Sequence, residues 1–161
     1  MARLVVGIIV GVVLSLVSIS MFFLWIPLLT AIDMMQSDPI LGLVLLLTLN
    51  FSFDALDLFM GFSMEKLLLY SPLLAAWIIT GYVSGTIAKG AKRGLIAGIL
   101  VVVINLLLWI LFSVFAAIDL MSLFQGAALM TTLGGIIGAV IGGVVGGLVG
   151  GAVAGPYEEF Y

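Results

Sequence analysis

The sequence contains no cysteine and no histidine, and only 8% of its 161 residues are charged. Without cysteine there is no disulfide, no thiol nucleophile and no thiolate metal site. Without histidine the commonest general base and the commonest metal and haem ligand are missing. Lysine and arginine total 5 against 8 aspartate and glutamate, a formal net charge of −3, so no basic face exists to meet nucleic-acid phosphates. Soluble domains carry roughly a quarter charged residues, and disordered chains need low hydrophobicity. Neither description fits a chain that is 65% hydrophobic with a mean hydropathy of +1.46. What remains is a small polytopic membrane protein whose first partner is the lipid bilayer, with no metal or other cofactor expected.

A bilayer core of about 30 Å needs about 20 apolar residues of helix. Four uncharged stretches meet that need: residues 4–29, 67–88, 94–117 and 127–154. Helices satisfy their own backbone in lipid, so each reads as a transmembrane helix. The first run is longer than the apolar core of a secretory signal, which is about 7–15 residues, and reads as a span. The expected fold is an all-α integral membrane protein in one domain. It has four transmembrane helices, an extracytoplasmic re-entrant or interfacial helical insertion over 33–66, and a short cytoplasmic tail over 155–161.

Orientation follows from the cations. With four spans, Arg3, Lys89, Lys92 and Arg93 fall on one side, which is then the cytoplasm. Asp33, Asp38, Asp54, Asp57, Glu65 and Asp119 fall outside, with Lys66 the exception. The expectation is a multi-pass protein of the cell membrane with both termini cytoplasmic. Trp25, Tyr70, Trp109 and Tyr157 lie towards span ends, as interfacial anchors do. A fifth span over 40–60 would take Asp54 and Asp57 into the bilayer and move Lys89, Lys92 and Arg93 outside, so it is set aside.

The insertion has its own signals. Asp38-Pro39 makes a helix start, a capping carboxylate followed by proline at the first helical position. Residues 40–49 are apolar but too few to span. Asn50 breaks the run and is placed to cap a second helix. Over 51–64, Phe51, Ala55, Leu58, Phe59 and Phe62 share one helical face, and Asp54, Asp57 and Gly61 share the other. An interfacial helix, with phenylalanines in lipid and carboxylates in water, is the favoured reading. An acidic vestibule for cations, built on Asp54 and Asp57, is the alternative. With no nucleophile or base beside them, the two carboxylates do not make a catalytic site.

Glycine carries the strongest pattern. Ten of the 20 glycines lie between Gly134 and Gly155. Gly134, Gly138, Gly142, Gly146 and Gly150 form one row at a spacing of four, and Gly135, Gly143, Gly147, Gly151 and Gly155 form the next. Shorter versions occur in the other spans: Gly7 with Gly11, Gly81 with Gly85, and Gly94 with Gly98. Glycine costs about 1 kcal/mol against alanine in an aqueous helix. A helix that accepts so many of them is built for close approach of another backbone. The spacing does not decide whether that neighbour belongs to the same chain. Rotor-ring subunits of ATP synthases also have glycine-rich helices, but they need a carboxylate near mid-membrane, and no span here holds one. The passage GYVSGTIAKGAKRGLIAG (81–98) resembles those of small glycine-rich polytopic proteins common in archaea, a likeness that implies no activity.

Asn105, at the centre of the third span, reads as an interhelical hydrogen-bonding group, with a pore contact as the alternative. Thr80, Ser84 and Thr86 are its candidate partners. The first and third spans both end in similar phrases, Ala31-Ile32-Asp33-Met34-Met35 and Ala117-Ile118-Asp119-Leu120-Met121, which suggests two parallel hairpins. The tail Pro156-Tyr157-Glu158-Glu159-Phe160-Tyr161 reads as an interfacial anchor with a solvated end, with a docking peptide for a partner as the alternative. Taken together these features predict a non-enzymatic protein, an accessory or structural subunit that packs with other membrane subunits or with itself. A small channel or transporter with an acidic outer vestibule is the alternative.

Overall fold

The computed structural model describes residues 2–156 apart from the side chain of Ala127, and all of its regular structure is helical. The helices are α1 Ala2–Phe22, α2 Ile26–Ser37, α3 Pro39–Asn50, α4 Ala55–Met60, α5 Met64–Ala88, α6 Ala91–Phe115, α7 Leu120–Leu123 and α8 Gly126–Val153. Five segments are long and apolar enough to cross a membrane: Ala2–Phe22, Pro39–Met60, Met64–Ala88, Ala91–Phe115 and Ala128–Val153. The chain is thus consistent with a multi-pass membrane protein in contact with lipid. Four such segments were expected. The added one, Pro39–Met60, is not a single helix but α3 and α4 joined by a break over residues 51–54.

The first span is shorter than the expected 4–29. Leu24 and Trp25 adopt left-handed backbone, φ 52° and 64°, and Trp25 N–H donates to the Ser20 carbonyl at 2.7 Å. That turn ends α1, and α2 restarts with a proline in its first turn. Glycine or asparagine usually occupies such backbone, and neither is present here to announce it. The start of α3 is as expected: Asp38 Oδ1 accepts from the N–H groups of Ile40 and Leu41, both at 3.0 Å. In α5, Pro72 has no N–H for the carbonyl of Leu68, and the Ser71 hydroxyl donates to that carbonyl at 3.3 Å instead.

Helix directions follow from the contacts. α1 runs antiparallel to α5, with Gly7 against Ser84 and Ala88, and Ser18 against Thr80. α6 runs antiparallel to α8, with Gly94 against Gly147 and Gly151, and Val102 against Gly143. α5 is parallel to α8 and α1 is parallel to α6. The first turn of α1, the α5–α6 turn and the last turn of α8 therefore share one end, which carries Arg3, Lys89, Lys92 and Arg93. Phe22, Met64, Phe115 and Gly126 share the other. Residues 23–63 connect α1 to α5 at that second end, and the α3–α4 break within them packs into the bundle.

The two hairpins, α1 with α5 and α6 with α8, do run parallel to one another. The similar phrases at their ends do not match in structure. Ala31 to Met35 lies inside α2, whereas Ala117 turns with φ 54° and Asp119 caps α7, accepting from Met121 N–H at 3.0 Å.

Candidate functional site

Buried polar side chains from four helices meet inside the bundle. Ser15 and Ser18 come from α1, Asn50 from the end of α3, Thr80 from α5 and Asn105 from α6. Each is 2% exposed or less, and Asn105 is fully buried. Ser15 Oγ donates to Asn105 Oδ1 at 2.8 Å, and Asn50 Nδ2 donates to the same oxygen at 3.5 Å. Asn105 Nδ2 donates to the Val101 carbonyl at 2.9 Å. Thr80 Oγ1 donates to Ser18 Oγ at 3.2 Å. Asn105 thus bonds across helices to α1 and α3. Its partners are not the second-span hydroxyls weighed from sequence: Thr80 serves Ser18, and Thr86 bonds back to the Val83 carbonyl at 2.8 Å.

Two tryptophans close this cluster. Trp77 Nε1–H donates to the Asn50 carbonyl at 2.6 Å, and Trp109 Nε1–H donates to Thr48 Oγ1 at 2.9 Å. Both indoles flank the ring of Phe51, with centroid separations of 6.1 and 5.4 Å. Trp109 is 3% exposed, so it is a core residue and not the interfacial anchor its position in the span suggested. Trp25, by contrast, is exposed. Tyr157, the fourth expected anchor, and the acidic residues after it lie outside the described residues.

The break over residues 51–54 is where the sequence reading departs furthest from the fold. Phe51, expected on a lipid-facing stripe, is buried, as is Phe53, while Phe59 and Phe62 remain exposed. Asp54, expected in water, is only 7% exposed. The cause lies in α8. A Cβ placed on Gly134, Gly135 or Gly138 would collide with Asp54, Phe51 or Phe53 in turn. Those three glycines form a notch, and the broken segment fills it. Only Ala55–Met60 is helical, and its cap is Asp54, whose Oδ1 accepts from Asp57 N–H at 2.9 Å. Asn50 ends α3, as expected, but serves Asn105 rather than the next helix.

Farther along α8 the two glycine rows meet two neighbours. Gly142, Gly146 and Gly150 face Trp77, Ile78 and Tyr82 of α5. Gly143, Gly147 and Gly151 face the glycines of both α5 and α6. A Cβ on Gly81 would stand 2.5 Å from the Gly143 carbonyl oxygen, and one on Gly85, Gly94 or Gly98 would strike Gly147 or Gly143. At Gly147 three backbones converge with no side chain between them. Gly7 and Gly11 perform the smaller task of seating α1 on Ser84, Ala88 and Val101. Val145, Val149 and Val153 of α8 point outward, while Ile136 packs against the core. Apart from Gly155, which lies beyond the end of α8 in open space, every glycine of these rows and pairs has its neighbour inside this chain.

Asp57 pairs with Lys66 at 2.6 Å and accepts from the Tyr70 hydroxyl at 3.3 Å. Asp54, Asp57 and Tyr70 line an open cleft of about 500 Å³ together with Met130 and Thr131. The two aspartates are therefore neighbours, yet one caps a helix and the other is ion-paired. No cluster of three or more potential metal ligands occurs among the described residues.

Sequence reasoning missed Trp77 and Thr48, and it placed Phe51 on a lipid-facing stripe. No local signal shows what fills the notch at Gly134, Gly135 and Gly138, because its occupants lie about 80 positions earlier in the chain. Compared with family descriptions, curated proteins and solved structures, the chain matches none.

Proposed function

We propose that this chain is a non-enzymatic structural protein of the cell membrane, an accessory subunit of a membrane assembly or a self-associating bundle. The observation that carries the reading is the sealing of Asn105. The central polar group of the bundle has no exposed surface and bonds to Ser15, Asn50 and its own helix. A transport path needs polar groups that face water or substrate; here they face one another. The glycine rows, Gly155 excepted, lie against the 51–54 break, α5 and α6 of the same chain. A partner would therefore meet the branched outer faces of α1, α6 and α8 rather than the glycines.

We read the topology as four crossings with both termini cytoplasmic. Support comes from α1 and α5 being antiparallel, so that residues 23–63 begin and end at one side. α2, with 12 residues, is about 18 Å long and too short for a crossing of its own. In this reading α3 descends to Asn50 and the chain returns through α4, a re-entrant element whose broken backbone is covered by protein. The cations at the α5–α6 turn then lie inside.

The test is purification of the full chain in a mild detergent, with mass determination and identification of co-purifying proteins. Stoichiometric foreign subunits or a defined homo-oligomer is expected. A stable monomer with no partner overturns the proposal. The cleft at Asp54 and Asp57 keeps a second reading in play, a small cation channel. It predicts that Asp54→Asn with Asp57→Asn lowers cation flux in liposomes, and an absence of flux in the unaltered protein removes it.

A further inference from the structure

The end of the bundle opposite Asp57 carries a second open cleft, also of about 500 Å³. It lies between the α5–α6 turn and the last turn of α8. Lys89, Lys92 and Arg93 line one wall, and Gly151, Ala152, Gly155 and Pro156 line the other. Three of the chain's 5 cationic side chains thus border one concavity, and no carboxylate lines it among the described residues.

Cations that only fix orientation need no cavity, because charge near a span end is enough. Here the backbone builds one. Lys89 and Gly90 both take positive φ, 55° and 87°, and Gly90 N–H donates to the Gly151 carbonyl at 3.0 Å. That bond fixes the cationic turn against α8. Gly151 has no side chain and so admits the Gly90 carbonyl, and the facing wall stays low at Gly155, where a Cβ would meet nothing within 4 Å. The cleft also sits at the ends of three apolar segments, Met64–Ala88, Ala91–Phe115 and Ala128–Val153. Its mouth is therefore level with lipid headgroups when those segments are in a bilayer.

We propose that this cleft binds the phosphate of an anionic lipid headgroup, with Lys89 and Lys92 supplying the charge. Basic pockets between the ends of transmembrane helices bind such headgroups by charge-assisted hydrogen bonds. The recognised chemistry is a phosphate ester. The lipid is favoured over a soluble phosphate because the acyl chains of a seated lipid would run along the apolar helices below. This inference does not depend on the subunit reading above.

The test is native mass spectrometry of the full chain in a zwitterionic detergent, with phosphatidylglycerol, phosphatidylcholine or inorganic phosphate added. The unaltered protein is expected to retain phosphatidylglycerol in preference to phosphatidylcholine. Lys89→Gln with Lys92→Gln should weaken that retention about tenfold or more, the size expected for two surface cations. Lys89→Arg with Lys92→Arg should keep it, and Lys66→Gln at the far end should leave it unchanged. Lys92→Gln alone, at an exposed site in the first turn of α6, gives a variant that folds and an intermediate loss. Equal retention of the two lipids, inorganic phosphate bound as tightly as phosphatidylglycerol, or an unaltered double glutamine variant each overturns the proposal.

Discussion

The indole N–H of Trp77 donates to the backbone carbonyl of Asn50 at 2.6 Å, closing the open end of α3. The last carbonyls of a helix have no partner within it. At the surface water serves them, but Asn50 is 2% exposed. A donor from α5 takes the place of water, so a helix can stop inside the bundle. Trp77→Phe keeps an aromatic ring beside Phe51, removes the donor and leaves a small cavity where the larger indole stood. The expected loss is at least about 1–2 kcal/mol of stability, the hydrogen bond and the lost packing together. Denaturation in sodium dodecyl sulfate followed by circular dichroism measures it, and an unchanged midpoint would show that the bond contributes nothing.

Asn105→Ala should destabilise by about 1–3 kcal/mol, because it opens a cavity in the core, leaves the Asn50 amide without its acceptor and removes the cross-helix partner of Ser15, whose hydroxyl keeps the Val12 carbonyl at 2.7 Å. The same variant reconstituted in liposomes should show the ion leak of the unaltered protein. A change in leak without a change in stability would place Asn105 in a pathway and count against a purely structural role.

Gly98→Ala puts a methyl group into the Gly143 carbonyl, where neither backbone can move without displacing a helix. Overpacking of this kind costs about 1–3 kcal/mol. Val149→Leu, on the outer face of the same contact region, should stay within about 0.5 kcal/mol. Measuring both against one denaturant decides the matter. Equal effects would mean that the convergence of α5, α6 and α8 is not what holds them.

Asp54 and the Asp57–Lys66 pair should separate clearly. Asp54→Ala removes a largely buried helix cap and should cost about 0.5–2 kcal/mol. Lys66→Met breaks an ion pair whose side chains are 34% and 42% exposed, so its effect should be smaller than that of Asp54→Ala and should shrink further in high salt. A larger effect for Lys66 than for Asp54 would reverse the ranking and indicate that the pair is shielded from solvent.

The apolar runs were legible because hydropathy over 20 residues is an additive property that needs no tertiary information. Asp38-Pro39 was legible because both of its signals are local. The stop after Phe22 was not, since Leu24 and Trp25 take backbone that their side chains disfavour. The destination of Phe51 was hidden for another reason. Its period matches a surface helix, and only the notch at Gly134, Gly135 and Gly138, more than 80 positions later, makes burial the better solution. Asn105 could be placed on the third span, but its partners Ser15 and Asn50 come from segments whose approach is set by packing. The glycine rows showed that backbones approach, and the structure supplies which backbones they are.

The glycine junction also governs how this protein can change over time. Where two backbones touch, the only side chain that fits is a hydrogen atom, and every coding change away from glycine adds mass. At Gly147 and Gly151 no replacement is smaller, so little neutral drift is available there, and a compensating change would have to come from a neighbour that is itself glycine. The outward valines and leucines of α8 carry no such restriction. Within one helix, one side is therefore frozen and the other is free to vary, and any partner that docks on the free side can be gained or lost without disturbing the bundle.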